Sequence, residues 1–227
     1  MNKYFNIVSS PEPSIIGVQN GVCQGNIIWK KFSKKESQRE ILDYFSLKKF
    51  IENNSEITSI DFEIEFVDAY KVAKMTDFFV FSPALYGISF FVSQKVVDIL
   101  ISFKLPLCAF IPVIIYHRDI KHRYYAFYLP SHYRERVVDF KKSIFFKKLD
   151  FHKRQEIFFR DIDEYLADRI VYAEKICFNE TFDKSLDLFA LVWGSGYYIS
   201  ESLKIAIESE GLTGIVILEP KEPELIF

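Results

Sequence analysis

The feature that most constrains the fold of this chain is an internal repeat. Residues Ala84 to Val113 align without a gap on Leu191 to Pro220. Few residues are identical, but the residue classes agree along the alignment, as where Val92-Ser93 matches Ile199-Ser200. Because there are two copies rather than many, the repeat indicates pseudo-symmetry and not a solenoid.

Each copy is predicted to form a strand, a helix and a second strand. Ser93 and Ser200 stand where a helix N-cap is needed, since a serine oxygen can accept a hydrogen bond from a backbone N–H of the first turn. Gly211 provides a left-handed stop after the second helix, where the first copy has Lys104. The residues expected on the buried faces of the two helices are Val96, Leu100, Leu203 and Ile207.

The second copy contains Gly194-Ser195-Gly196, which could be a phosphate cradle, a serine nucleophile or a turn. A phosphate cradle needs glycines that lead directly into a helix, but four residues intervene here. A nucleophile elbow needs the pattern GxSxG, which is absent. Only the Gly87/Gly194 position is shared by the two copies, so we interpret this stretch as a turn.

The rest of the chain predicts an α+β fold: a mostly antiparallel sheet with about three main helices, the third at Ser37 to Asn53 with Ser37 as its N-cap. The stretch from Ile60 to Phe66 alternates apolar and acidic residues, which predicts a strand with Ile60, Phe62, Ile64 and Phe66 on the buried face and three carboxylates in solvent. We expect residues 1–227 to form one domain, with an N-terminal lobe at 1–75 and a repeat-containing lobe at 76–227.

Composition and motifs argue against catalysis and against secretion. The chain is 49% hydrophobic and 17% aromatic, which is typical of a globular core. Its three cysteines and four histidines lack metal-site or redox spacing, so no metal, no cofactor and no enzymatic activity are expected. No signal peptide is visible, and the apolar run Leu107 to Tyr116 is too short to cross a membrane. These features predict a cytoplasmic protein without membrane contact.

Charge is unevenly distributed and indicates two candidate partner-binding surfaces. Residues 117–154 contain 11 Lys/Arg and 4 Asp/Glu, whereas residues 155–227 contain 6 and 15. A basic partner would favour an acidic surface and an acidic partner a basic one. The acidic candidates are Glu201, Glu208, Glu210, Glu222 and Glu224, and the basic candidates are Lys141, Lys142, Lys147, Lys148, Lys153 and Arg154.

The basic segment also contains aromatic residues, which leaves a second function open. Lysines interleaved with aromatics can hold single-stranded nucleic acid by stacking and charge. The same pattern is typical of strands that bury their aromatic side chains and expose their lysines. Nucleic-acid binding by residues 117–154 is therefore the less favoured alternative.

Three landmarks resemble the immunity proteins encoded beside bacterial polymorphic toxins, a family long classed as a domain of unknown function. They are an Asp-x-x-Lys/Glu-Ser segment at Asp139 to Ser143, a Leu-Phe strand at Leu188-Phe189, and a closing unit from Ile199-Ser200 to Leu212-x-Gly214. The resemblance covers roughly residues 76–220 and includes no catalytic residue. It implies a protein that neutralises a cognate toxin by direct binding.

Overall fold

The computed structural model describes residues 3–19, 21, 23–32, 35–46, 63–129, 137–150, 153–167, 171–191, 197–219 and 223–227. The predicted turn at Gly194-Ser195-Gly196 and the predicted strand residues Ile60 and Phe62 lie outside these ranges. Within them, strands exceed helices, and the α+β class is confirmed.

The strands are β1 Tyr4–Ser9, β2 Gly25–Ile27, β3 Ile64–Ala69, β4 Phe78–Phe79, β5 Phe81–Ser82, β6 Ile88–Val92, β7 Ala109–His117, β8 Ile120–Tyr128, β9 Ile144–Lys148, β10 Arg154–Ile157, β11 Tyr172–Cys177, β12 Leu188–Ala190, β13 Tyr197–Ser200, β14 Ile215–Leu218 and β15 Glu224–Ile226. The α-helices are α1 Pro13–Ile16, α2 Lys35–Tyr44, α3 Gln94–Leu100, α4 Ile162–Ala167 and α5 Glu201–Ser209, and a 3₁₀ helix spans Trp29–Lys31.

The expectation of three helices needs correction, because the described residues form five α-helices. The two that were not predicted, α1 and α4, are only 4 and 6 residues long, too short for a periodic pattern to show in the sequence. Helix α2 begins at Lys35, so Ser37 lies inside it and is not its N-cap. Ile41 in this helix and Phe45 just after it are buried, whereas Leu42 is exposed.

The strands form three sheets rather than one mostly antiparallel sheet. The large sheet has the order β4-β6-β8-β7-β3-β2-β5, the middle sheet β12-β13-β1-β14, and the third sheet β10-β9-β11-β15. The middle sheet is fully antiparallel. The other two are mixed, because β2–β5, β3–β7 and β11–β15 are parallel pairs.

The middle sheet contributes side chains from its two faces to two different core clusters. Phe5 and Ile7 of β1 join a core cluster with Phe127 of the large sheet. Tyr4 points the other way and joins a cluster with Phe145 of the third sheet. Strands on both sides of residue 75 are paired, β1 with β13 and β3 with β7, so backbone hydrogen bonds connect the two predicted lobes.

Both copies of the repeat form the predicted strand, helix and strand. Ser93 Oγ accepts a hydrogen bond from Val96 N at 3.4 Å, and Ser200 Oγ accepts one from Leu203 N at 3.2 Å, so both serines are N-caps. Gly211 has φ +61° at the helix end. All four predicted helix-face residues are buried: Val96, Leu100, Leu203 and Ile207.

The repeat extends beyond the aligned segments. In the large sheet β4, β6, β8 and β7 are successive neighbours, and in the middle sheet β12, β13, β1 and β14 follow the same order with the same antiparallel pairing. We call the first set, with α3, unit one and the second set, with α5, unit two. Equivalent residues face equivalent neighbours: Val92 lies opposite Phe78 and Tyr125, and Ile199 opposite Leu188 and Phe5.

Two aspartates join the units reciprocally. Asp77 Oδ1 accepts from Ser93 Oγ of its own unit at 2.9 Å, and its Oδ2 accepts from Thr213 N, after the helix of unit two, at 2.9 Å. Asp187 Oδ1 accepts from Ser200 Oγ at 2.7 Å, and its Oδ2 accepts from Lys104 N, after the helix of unit one, at 2.9 Å. Each carboxylate therefore holds the start of one helix and the end of the other.

The predicted alternation in β3 is wrong at one position. Ile64 and Val67 are both fully buried, because the pairing of β3 with β7 shifts between them. This irregularity turns Phe66 to the opposite face, where its ring stacks on Tyr116 with centroids 5.1 Å apart. Of the predicted solvent carboxylates, Glu63 is exposed and Glu65 is half-buried.

Candidate interaction surfaces

The structure divides the acidic candidates between two places. Glu201 and Glu208 share the exposed side of α5 with Ile205, since positions i, i+4 and i+7 lie on one helix face. Glu210 ends the same helix and forms an ion pair with Lys95 at 3.3 Å. Glu224 is instead in the third sheet, on β15, and Glu222 lies outside the described residues.

The basic candidates also separate. Lys148 and Arg154 lie directly opposite each other in the β9–β10 hairpin and share one sheet face. Lys147 is on the opposite side of β9. Lys141 and Lys142 belong to a turn before β9, and Lys153 to the hairpin turn, where its N–H donates to Asp150 Oδ1 at 2.8 Å.

One face of the third sheet brings two of the basic residues together with aromatic side chains. Phe146 lies opposite both Glu156 and Tyr172, and alternation places these residues beside Lys148 and Arg154. The opposite face, with Phe145 and Ala173, is buried against the core. We call the first set the outer face of the third sheet. It consists of Phe146, Lys148, Arg154, Glu156, Tyr172 and Glu174.

Cations cover the aromatic rings of this outer face. Lys148 Nζ lies 4.6 Å from the centroid of the Tyr172 ring, and the Arg154 guanidinium lies 5.1 Å from that of Phe146. The two rings stack with centroids 5.6 Å apart. Arg154 also forms an ion pair with Glu174 at 2.8 Å. The guanidinium is therefore fixed over the sheet by both a carboxylate and a ring.

Sequence reasoning missed the exposed apolar residues around this face. Phe158, two residues after Glu156, is 67% exposed, and Tyr172 is 48% exposed. Leu149, at the β9–β10 turn, is exposed as well. The one sequence signal was the adjacent pair Phe158-Phe159 just after β10, of which only Phe159 is buried.

The basic segment 117–154 does not form one continuous sheet surface. Its first part is the β7–β8 hairpin of the large sheet, and its last part is the β9–β10 hairpin of the third sheet. On the outer face of the third sheet its two cations stand beside the carboxylates of Glu156 and Glu174. The charge there is mixed rather than uniformly positive.

The landmarks of the family resemblance have structural roles. Ser143 is buried, and its hydroxyl donates to Asp139 O at 2.8 Å and accepts from Cys177 N at 3.0 Å, which ties the Asp139-to-Ser143 turn to β11. Leu188 and Phe189 are buried in β12. Gly214 has φ +95°, and a Cβ there would lie 2.1 Å from Phe78 O, so only glycine fits.

No group of three or more described His, Cys, Asp or Glu side chains could hold a metal ion. Burial raises the pKa of Cys108 to about 11 and also raises the pKa of Cys177, so both thiols are protonated at neutral pH.

Comparison with protein-family models and with curated proteins finds no significant match to this chain. The interpretation of its surfaces therefore rests on its own residues. Within the described part of the chain, no helix is both long enough and apolar enough to cross a membrane.

Proposed function

We propose that this protein is a non-catalytic immunity protein, which neutralises a cognate bacterial toxin in the cytoplasm by binding it directly. The observation that carries the binding role is the outer face of the third sheet. Tyr172 on this face and Phe158, two residues after Glu156, are exposed, and Arg154 lies over the ring of Phe146. Aromatic residues and arginine are the side chains that most often dominate protein–protein binding energy. The surrounding charges would form the polar rim of such an interface.

A protein partner suits this face better than a nucleic acid. A nucleic-acid surface needs uncompensated cations for phosphates and open aromatic rings for bases. Here Arg154 is paired with Glu174 and covers the ring of Phe146, while Lys148 covers Tyr172. Mixed charges around apolar residues instead match the anatomy of a protein interface.

The immunity role itself is supported by the family resemblance at Asp139 to Ser143, Leu188-Phe189 and Ile199 to Gly214. These landmarks lie in a turn tied to β11, in a buried strand and in a helix cap. The proposal therefore assigns the landmarks to the scaffold and the contact to the outer face of the third sheet.

Co-expression tests the proposal. The toxin domain encoded beside this gene is expressed in cells with the wild-type protein, with Phe158→Ala/Tyr172→Ala, or with Val72→Ala, which truncates an exposed apolar residue of the large-sheet region. We expect the wild type and Val72→Ala to protect the cells. The double variant should bind at least about 30-fold more weakly, as the loss of a hot spot of about 2 kcal/mol implies.

Failure of the wild-type protein to protect, with no complex on co-purification, would reject the immunity proposal. Protection by the double variant at wild-type affinity would instead leave the immunity role and move the contact surface elsewhere. Micromolar binding to generic DNA or RNA that weakens steeply with salt would favour the nucleic-acid alternative.

A further inference from the structure

Strand β14 is an edge of the middle sheet, and among the described residues it pairs on one side only. It is hydrogen-bonded to β1 on one side, and no backbone hydrogen bond with another described residue reaches its other side. In an edge strand about half of the peptide N–H and C=O groups point outward, where they can pair with a strand of another chain.

The sequence of β14 leaves this edge unprotected. Its four residues are Ile-Val-Ile-Leu, all at least partly exposed, and Leu218 is 47% exposed. Natural edge strands usually carry charges that prevent pairing. The edge strand β10 does so with Arg154 and Glu156. Strand β14 therefore lacks the charged side chains that β10 carries on its edge.

Unit one shows that a strand can be accommodated on this side. There β7, the counterpart of β14, is an internal strand because β3 pairs with it in parallel from Val113 onward. Val113 lies two positions beyond Ile111, the residue equivalent to Leu218, so β14 stops short of the stretch that β3 occupies. A strand added to β14 would extend the middle sheet on the side where unit one has β3.

We propose that the β14 edge receives an extended, basic segment of the protein partner, added as a fifth strand of the middle sheet. This proposal rests on the proposed function and specifies how its partner is held. Residues 201–219, which include α5 and β14, contain four Asp/Glu against one Lys/Arg, so a basic segment is attracted. A second copy of this chain fits less well, because it carries the same charge, and two four-residue strands bury far less than the roughly 1,200 Å² of a stable interface.

Locally, the end of β14 lies near two carboxylates, Glu219 and Glu201, and near two lysines, Lys3 and Lys204. Glu219 forms an ion pair with Lys3 at 2.6 Å, and Glu201 at the start of α5 also raises the pKa of Lys3, though less than Glu219 does. Both ends of the Lys3–Glu219 pair are exposed, so a lysine of the incoming strand can displace Lys3 at little cost.

The probe for this edge is a capped hexapeptide of alternating lysine and valine, with the glutamate–valine hexapeptide as its control. Amide hydrogen exchange is measured by NMR on the full-length protein. At a peptide concentration about ten times its Kd, the outward amides of β14 should exchange about ten-fold more slowly. The glutamate peptide should not change the exchange rates of these amides. Neither peptide should change the exchange rates of the β10 amides.

Variants at Leu218 test charge separately from folding. Leu218→Lys should weaken lysine-peptide binding at least ten-fold relative to Leu218→Glu, which loses the same apolar contacts but attracts the peptide. Gln155→Lys adds the same charge to the edge of β10 and should have no effect. The proposal would be overturned if the two peptides bound equally well or if the two Leu218 variants bound the lysine peptide equally well. It would also be overturned if about millimolar peptide did not slow amide exchange in β14.

Two further outcomes separate this proposal from the immunity role. If β14 amides slow with protein concentration alone, and Leu218→Lys abolishes that effect, the occupant is a second copy and the proposal is wrong. If Leu218→Lys still protects cells at wild-type affinity while Phe158→Ala/Tyr172→Ala does not, the immunity role stands and the edge plays no part in it.

Discussion

Units one and two have the same strand order, the same register and the same helix caps, but they obtain their third strand differently. In unit one the strand between β6 and β7 is β8, which follows β7 through a tight turn at Arg118 and Asp119. In unit two the strand between β13 and β14 is β1, from the opposite end of the chain. Unit two is therefore completed only when residues 4–9 pair with strands at residues 197–200 and 215–218.

The two units therefore reach the same arrangement of strands in different ways. Unit one depends on pairing between segments that are close in sequence, and unit two on pairing between segments that are far apart. The β7–β8 hairpin is fixed by neighbouring residues, whereas β1 pairs with strands at residues 197–200 and 215–218. Long-range pairing is slow because loop-closure entropy is lost before the contacts form. Unit two consequently relies on precise contacts with unit one, and the largest expected effects of substitution lie at those contacts.

The largest effect is expected for Gly214→Ala. Its φ of +95° is unfavourable for alanine, and the new Cβ would lie 2.1 Å from Phe78 O of unit one. Either the turn after α5 or β4 must move, so the free energy of unfolding should fall by more than about 3 kcal/mol. The measurement is equilibrium denaturation of both the variant and the wild type.

Gly211→Ala is the matched control, since Gly211 also has a positive φ of +61° but no atom within 4 Å of the position that a Cβ would take. Only backbone strain remains there, and the expected loss is about 1 kcal/mol. Equal losses at the two glycines would mean that the close approach of unit two to Phe78 does not contribute to stability.

Local features of the repeat could be predicted from the sequence because they depend on residues close together in the chain. Ser93 and Ser200 cap helices that begin one residue later, and the buried positions of both helices follow from their spacing. The left-handed Gly211 is equally local. Such features need no knowledge of which strands become neighbours.

Features that depend on distant segments could not be predicted in the same way. Asp77 and Asp187 escaped notice because the hairpins that connect them to Ser93 and Ser200 differ in length, so a gap-free alignment cannot match them. The outer face of the third sheet combines β9, β10 and β11, and its Tyr172 is separated from Phe146 by α4. Glu224 lies opposite Lys175 through a parallel pair that no local pattern indicates.

The next largest effect is expected for the two reciprocal aspartates. Asp77→Ala leaves Ser93 Oγ and Thr213 N without their acceptor, and Asp187→Ala does the same to Ser200 Oγ and Lys104 N. Hydrogen bonds to a half-buried carboxylate predict a loss of about 2 kcal/mol in each case. Thermal and denaturant unfolding of both variants provide the comparison.

Matched losses would indicate that the two units are energetically as well as geometrically equivalent. Ser93→Ala and Ser200→Ala serve as controls, because each removes a helix cap but leaves the contact of the aspartate with the other unit. Each should cost only about 1 kcal/mol. An aspartate variant no less stable than its serine control would show that the contact between the units is energetically unimportant.

The smallest effect concerns pH and belongs to unit one alone, because the described part of unit two contains no histidine. His122 on β8 is half-buried, its Nε2 has no hydrogen-bond partner among the described residues, and the ring of His117 lies 6.3 Å away. Burial, and to a lesser degree the charge of His117, lower the pKa of His122 below its ordinary 6.5.

The unfolded chain therefore binds a proton at a higher pH than the folded protein does. Stability should be complete above pH 6.5 and should decline as the pH falls through the lower folded-state pKa. His122→Gln should flatten the dependence of unfolding free energy on pH between about 7.5 and 5.5, and His117→Gln should flatten it partly because only the weaker cause is removed. A slope that persists unchanged in His122→Gln would assign the titration to a different group and remove this asymmetry between the units.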